Sequence, residues 1–101
     1  MGQKLSPPDL ALYQAVDEVL FYVWDPIGVS RSPWARDEYQ SYLPQVFQFV
    51  REGQSEEAIA NFLTAITAER MGLSLTAERD LEVARLLLEW RSLVSDKYSN
   101  F

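Results

Sequence analysis

The sequence predicts an all-α, single-domain bundle of about four helices, with a long ordered loop between the first two. Three observations predict it. Apolar residues recur at helical spacing in four separate stretches. Each stretch is bounded by capping hydroxyls, carboxylates, glycine or proline. No segment shows the strict alternation of a half-buried strand. The 101 residues suit one domain, since single cores cluster at roughly 100–150 residues. The helices are expected at about 7–23, 37–52, 55–71 and 76–95.

Ser6-Pro7-Pro8-Asp9 starts the first helix with a hydroxyl cap, prolines in the first turn and a carboxylate facing the helix dipole. Leu12, Val16, Val19, Leu20 and Val23 fall on one arc at 100° per residue and form its core stripe. Gln14, Asp17 and Glu18 lie opposite, and so do Leu10 and Phe21. Trp24-Asp25-Pro26-Ile27-Gly28-Val29 ends the helix. A proline disfavours helical backbone at the residue before it, and Gly28 tolerates positive φ. The loop that follows holds a second proline, Pro33, and runs for about a dozen residues, long for a helical bundle.

In the second helix Tyr39, Leu43, Val46, Phe47 and Val50 share a face, with Gln45, Gln48 and Glu52 outside. Pro44 allows two readings: a short turn at 37–42 before a helix that carries Pro44 in its first turn, or one helix kinked there. The first is favoured, because proline is tolerated without penalty only near a helix start. Gly53-Gln54 closes this helix, and Ser55-Glu56-Glu57 caps the third. There Ile59, Phe62, Leu63 and Ile66 face inward, while Asn61, Thr64 and Ala68 face away. Gly72 after Met71 is the expected stop, closed by Leu73. Thr76 caps the fourth helix, whose apolar arc (Leu81, Val83, Ala84, Leu87, Leu88, Trp90 and Val94, widened by Leu86 and Leu93) is broad. An arc that wide packs on several neighbours or on another subunit.

Fifteen acids against nine bases give a net charge of −6. A nucleic-acid ligand is not expected, because no basic patch is visible to displace counterions from phosphates. Arg70, Arg79, Arg85 and Arg91 are interleaved with Glu69, Glu78, Glu82 and Glu89, which reads as helix-surface pairing, with Arg85 and Glu89 at i,i+4. A basic partner is electrostatically easier than an acidic one. With no cysteine and no histidine, disulfides, thiolate catalysis and the commonest metal ligand and neutral-pH base are excluded. No cofactor is expected. No stretch has the 18 or more apolar residues that span a bilayer, and the first residues lack the apolar core of a signal peptide. The expected location is the cytoplasm.

The run Trp24-Asp25-Pro26-Ile27-Gly28-Val29, followed by Asp37-Glu38-Tyr39 with Tyr42 and Pro44, and later Met71-Gly72-Leu73, resembles the YugE-like family of small bacterial helical proteins of unknown function. The resemblance extends from about residue 12 to residue 95. It implies an all-α fold of about four helices and a bacterial, cytoplasmic setting. It carries no established activity and no catalytic residues.

Four groups are candidates for function. The carboxylates Asp25, Asp37 and Glu38 could hold Mg²⁺ or Ca²⁺ or act as a base. Each also suits a structural role in the Asp-Pro turn or the first turn of the second helix, which is the favoured reading. Trp24, Trp34, Tyr39 and Tyr42 could line a ligand pocket, although aromatics also pin long loops to a bundle. Arg70 and Arg91 project from apolar faces near helix ends. They either snorkel or reach the loop carboxylates. Leu10 and Phe21, beside Asp17 and Glu18, could form an apolar partner surface with an acidic rim, although scattered exposed apolar residues are ordinary, which is the favoured reading. The function expected is that of a non-enzymatic helical protein acting through protein–protein contact, with a protein partner or a second copy of itself. The alternative is a small-ligand or metal-binding module that uses Trp24, Asp25, Asp37, Glu38 and Tyr39.

Overall fold

The computed structural model describes residues 5–26, 28, 31–69 and 77–99. Among the described residues four α-helices form the domain and no strand occurs. Helix α1 (Pro7–Glu18) opens as its sequence predicts: Ser6 Oγ accepts the Asp9 N–H at 3.4 Å, with proline in the first turn. It then widens into a π-helical turn at Val19–Trp24. The Asp25 N–H reaches back five residues to the Leu20 carbonyl at 3.0 Å, and Asp25 itself closes the turn in the left-handed region, with φ 32°. A 3₁₀ turn at Pro33–Ala35 and hydrogen-bonded turns across 36–42 lead to α2 (Leu43–Arg51).

Pro44 sits in the first turn of α2, where its missing N–H would have had no helical partner. The helix is therefore shorter than 37–52, and turns occupy 36–42. Gly53, at φ 73°, ends it. The Gly53 N–H donates to the Val50 carbonyl at 3.0 Å and the Gln54 N–H to the Phe49 carbonyl at 3.1 Å, the paired bonds of a Schellman closure. Ser55 Oγ then accepts the Ala58 N–H at 3.1 Å and starts α3 (Glu56–Glu69). Helix α4 (Ala77–Ser99) runs a turn beyond its expected end. The stop expected at Met71, Gly72 and Leu73, the Thr76 cap and Arg70 all lie outside the described residues, as do Ile27 and Val29.

Helix α4 is the centre of the domain and packs against α1, the π turn, α2 and α3. Its broad apolar arc follows from that position. Val83, Ala84, Leu87 and Val94 are buried with Leu12, Val16, Val19 and Leu20 of the first helical stretch, Leu43, Val46 and Val50 of α2, and Ile59, Leu63 and Ile66 of α3. Burying a side chain of this size contributes about 1.5–3 kcal/mol, so the cluster holds the four helices together. No helix among the described residues is long and apolar enough to cross a membrane.

Three expectations are corrected here. Phe21 is 3% exposed and belongs to the core. It lies opposite the core stripe of its own helix, and the following loop covers it, with the Arg36 guanidinium 4.8 Å and the Tyr39 ring 6.4 Å from its ring centre. Thr64 turns inward to a buried carboxylate. The arginines bind between helices: Arg85 pairs with Glu56 of α3 at 3.2 Å, and Arg91 Nε donates to the Arg51 carbonyl at 3.3 Å. The last carbonyls of α2 lack helical donors and carry partial negative charge, so Arg91 finds its acceptor there and not at the loop carboxylates.

Candidate functional site

Where the π turn meets the start of α4, polar groups enter the core. Trp24 is buried, and its indole N–H donates to Oδ1 of Asp80 at 3.1 Å. Asp80 is 1% exposed. Its Oδ2 accepts the Thr64 hydroxyl at 2.7 Å. The carboxylate lies in the first turn of α4, where the helix dipole favours negative charge. Beside it the Arg79 guanidinium donates to the Val23 carbonyl. One turn of α4 thus grips the end of the first helical stretch by a side chain and by the backbone, while Thr64 brings in α3.

The loop is fastened on the other flank. Arg36 forms a two-pronged pair with Asp17, with Nη1 and Nη2 at 3.0 and 3.1 Å from the two carboxylate oxygens. Gln40 Nε2 adds a third donor to Asp17 at 3.0 Å. The Arg36 guanidinium also lies 4.8 Å from the centre of the Phe21 ring and 5.6 Å from that of Tyr22. The hydrogen bond to Asp17, reinforced by its charge, raises the Arg36 pKa further above its ordinary value, against the opposing effect of burial. Deeper in, the Tyr39 hydroxyl donates to Asp25 at 2.7 Å, and the Tyr39 ring lies 5.4 Å from that of Trp24.

The loop residues singled out in the sequence therefore separate. Trp24 and Tyr39 are core, and Asp25 is held by Tyr39. Asp37 and Glu38 are exposed in the turns before α2, and Trp34 is almost fully exposed. No group of three or more carboxylates among the described residues is placed to hold a metal ion. Of the expected partner surface, Leu10 and Glu18 are exposed, Asp17 is engaged with Arg36, and Phe21 is buried.

An apolar groove opens on a different face, between the α1–π stretch and α4. Ala15, Glu18, Val19, Tyr22, Val23, Leu86 and Trp90 line about 230 Å³. Tyr22 is 59% exposed and Trp90 39%, and Leu93 beyond them is 59% exposed. No protein-family model matches the chain, and no curated protein or solved structure matches it.

The buried carboxylate Asp80 receives two donors from its own fold, and the exposed large hydrophobic residues among the described ones are Leu10, Tyr22, Trp34, Trp90 and Leu93. Sequence reasoning missed both Asp80 and the groove. The signal for Asp80 was its register: positions 80, 83, 84 and 87 share one helical face, so the carboxylate lies in the apolar stripe with Val83, Ala84 and Leu87. The signal for the groove was the pair Leu86 and Leu93, which widened the arc of α4 beyond what the core needs.

Proposed function

We propose that this protein works by protein–protein contact and not by catalysis, through the face formed by Tyr22, Leu86, Trp90 and Leu93. The observation that carries the reading is the exposure of two aromatic rings, Tyr22 and Trp90, along one groove, with Leu93 exposed beyond it. Interface cores are enriched in such aromatic residues, and energetically dominant contacts are often Trp or Tyr. Helix α4 already has neighbours on its other sides, so one more helix laid along this face would complete its surround, in the manner of helix-in-groove recognition. At about 230 Å³ the groove falls below the roughly 300–1,000 Å³ of small-molecule sites, which favours a macromolecular occupant. The YugE-like resemblance belongs to the same proposal. Its motif residues Trp24, Tyr39 and Pro44 serve the fold that presents the groove.

The test is site-specific photo-cross-linking in native extract, with the reactive group at position 93 and a control at Ser41, which is exposed in the loop. The reading expects a discrete protein adduct from position 93 and none from position 41. Equal, diffuse labelling from both positions would overturn it.

A further inference from the structure

Resting on that reading, we infer that the occupant of the groove is a second copy of this chain, bound with its α4 antiparallel to the first. Residues 82, 86, 90, 93 and 97 follow one another at spacings of three or four along α4, the register of a single helix stripe. In order they are Glu82, Leu86, Trp90, Leu93 and Lys97. The middle of the stripe is apolar and its ends carry opposite charges. Glu82 and Lys97 lie fifteen positions apart, about 22 Å along the helix, and the midpoint falls between Glu89 and Trp90.

A two-fold axis through that midpoint sets Glu82 against Lys97 of the second copy, and Leu86 against Leu93, twice over. The two Trp90 rings meet near the axis. Two-fold interfaces require such self-complementarity, in which each patch meets its own copy. Reversing either end charge, or placing both of one sign, would remove it. Both charged residues are exposed, and neither takes part in the ion pairs formed by Asp17, Asp9 and Glu56 with Arg36, Arg51 and Arg85. The Lys97 ammonium lies 5.7 Å from the Tyr98 ring centre, an exposed contact that it can exchange for a carboxylate. A single stripe of this length makes a small interface, so the dimer is weak and dependent on concentration.

Sedimentation equilibrium at low ionic strength, from micromolar to near-millimolar protein, tests this. The wild-type mass is expected to rise from 11.6 kDa toward twice that value. Glu82→Lys and Lys97→Glu should each weaken self-association by about tenfold, since two attractive pairs become repulsive. An equimolar mixture of the two variants should re-associate, because each supplies the charge that the other has lost. The two single variants shift the net charge in opposite directions from −6. Bulk repulsion would therefore make Glu82→Lys associate more strongly than wild type, and that result would overturn the antiparallel pairing. So would a mass fixed at the monomer value, or a mixture no tighter than its components. A monomer whose position 93 captures a different protein retains the contact function and removes the homodimer, so the two readings fail separately.

Discussion

The indole of Trp24 and the carboxylate of Asp80 meet across 56 positions of sequence, at 3.1 Å and out of contact with solvent. An ionisable group buried this deeply needs partners for its oxygens, and Trp24 and Thr64 supply them from two other segments. The same three residues also fix how the π turn, α3 and α4 meet, so specificity of packing and satisfaction of a buried polar group are one arrangement.

Removing the carboxylate should therefore cost more than its volume suggests. Asp80→Leu leaves the buried indole N–H without its acceptor and the Thr64 hydroxyl without its own, and is expected to lose about 2–4 kcal/mol of unfolding free energy. Asp80→Asn retains an acceptor for Trp24 and should lose about 1 kcal/mol. Urea denaturation distinguishes the two. Equal losses would show that the hydrogen bonds do not set the stability of the junction.

Asp25 combines left-handed backbone at φ 32° with the Tyr39 hydrogen bond. Asparagine adopts that backbone readily and keeps an acceptor oxygen, whereas alanine does neither. Asp25→Asn should stay within about 1 kcal/mol of wild type, and Asp25→Ala should lose about 2–3 kcal/mol. Thermal unfolding of both variants in parallel provides the measurement.

The clasp between Arg36 and Asp17 is partly exposed, with the two side chains 39% and 27% accessible. Its coupling should accordingly be modest, about 0.5–1 kcal/mol in a double-mutant cycle of Arg36→Met and Asp17→Asn. It should shrink in 1 M salt, where the screening length falls to about 3 Å. Because Arg36 lies over Phe21 and Tyr22, loss of the clasp should also speed proteolytic cleavage in 31–42. Unchanged cleavage with a measurable loss of stability would place the role of Arg36 outside the loop.

Glu52 accepts hydrogen bonds from Gln48 at 2.7 Å and Gln54 at 3.3 Å, and these, the Gln48 bond foremost, lower its pKa below the ordinary 4.5. A lowered carboxylate pKa stabilises the fold above the unfolded value, and that contribution is lost as pH falls through the folded one. Carbon-detected NMR titration should find a depressed midpoint for Glu52 that returns upward in Gln48→Ala. A midpoint insensitive to Gln48→Ala would assign the shift to another cause.

Much of the architecture was legible from periodicity and caps. The face Tyr39, Leu43, Val46, Phe47 and Val50 is buried throughout, since the turns at 36–42 are close enough to helical to keep the spacing. Pro44 marks the start of α2, because its ring and absent N–H are tolerated only there. Phe21 was illegible for the opposite reason. Spacing along the first helix sets it opposite the core stripe, and what buries it is a loop residue pair, Arg36 and Tyr39, that no periodicity within that helix reveals. Arg79, Arg85 and Arg91 were misread because charge spacing along one helix says nothing about which neighbouring helix supplies a better acceptor. The groove was legible only as the excess width that Leu86 and Leu93 give the α4 arc: whether Trp90 fills a core or borders an opening depends on the helix packed opposite it.

The π turn has a further consequence. It inserts a phase shift into an otherwise regular helix, and everything after it, Trp24 first, is read in the shifted frame. Winding Val19–Trp24 as plain α-helix at its present length would turn the indole away from Asp80, because a π turn fits one more residue into the same rotation. The winding of this one turn, as much as the identity of its residues, therefore decides which side chain meets the carboxylate of α4.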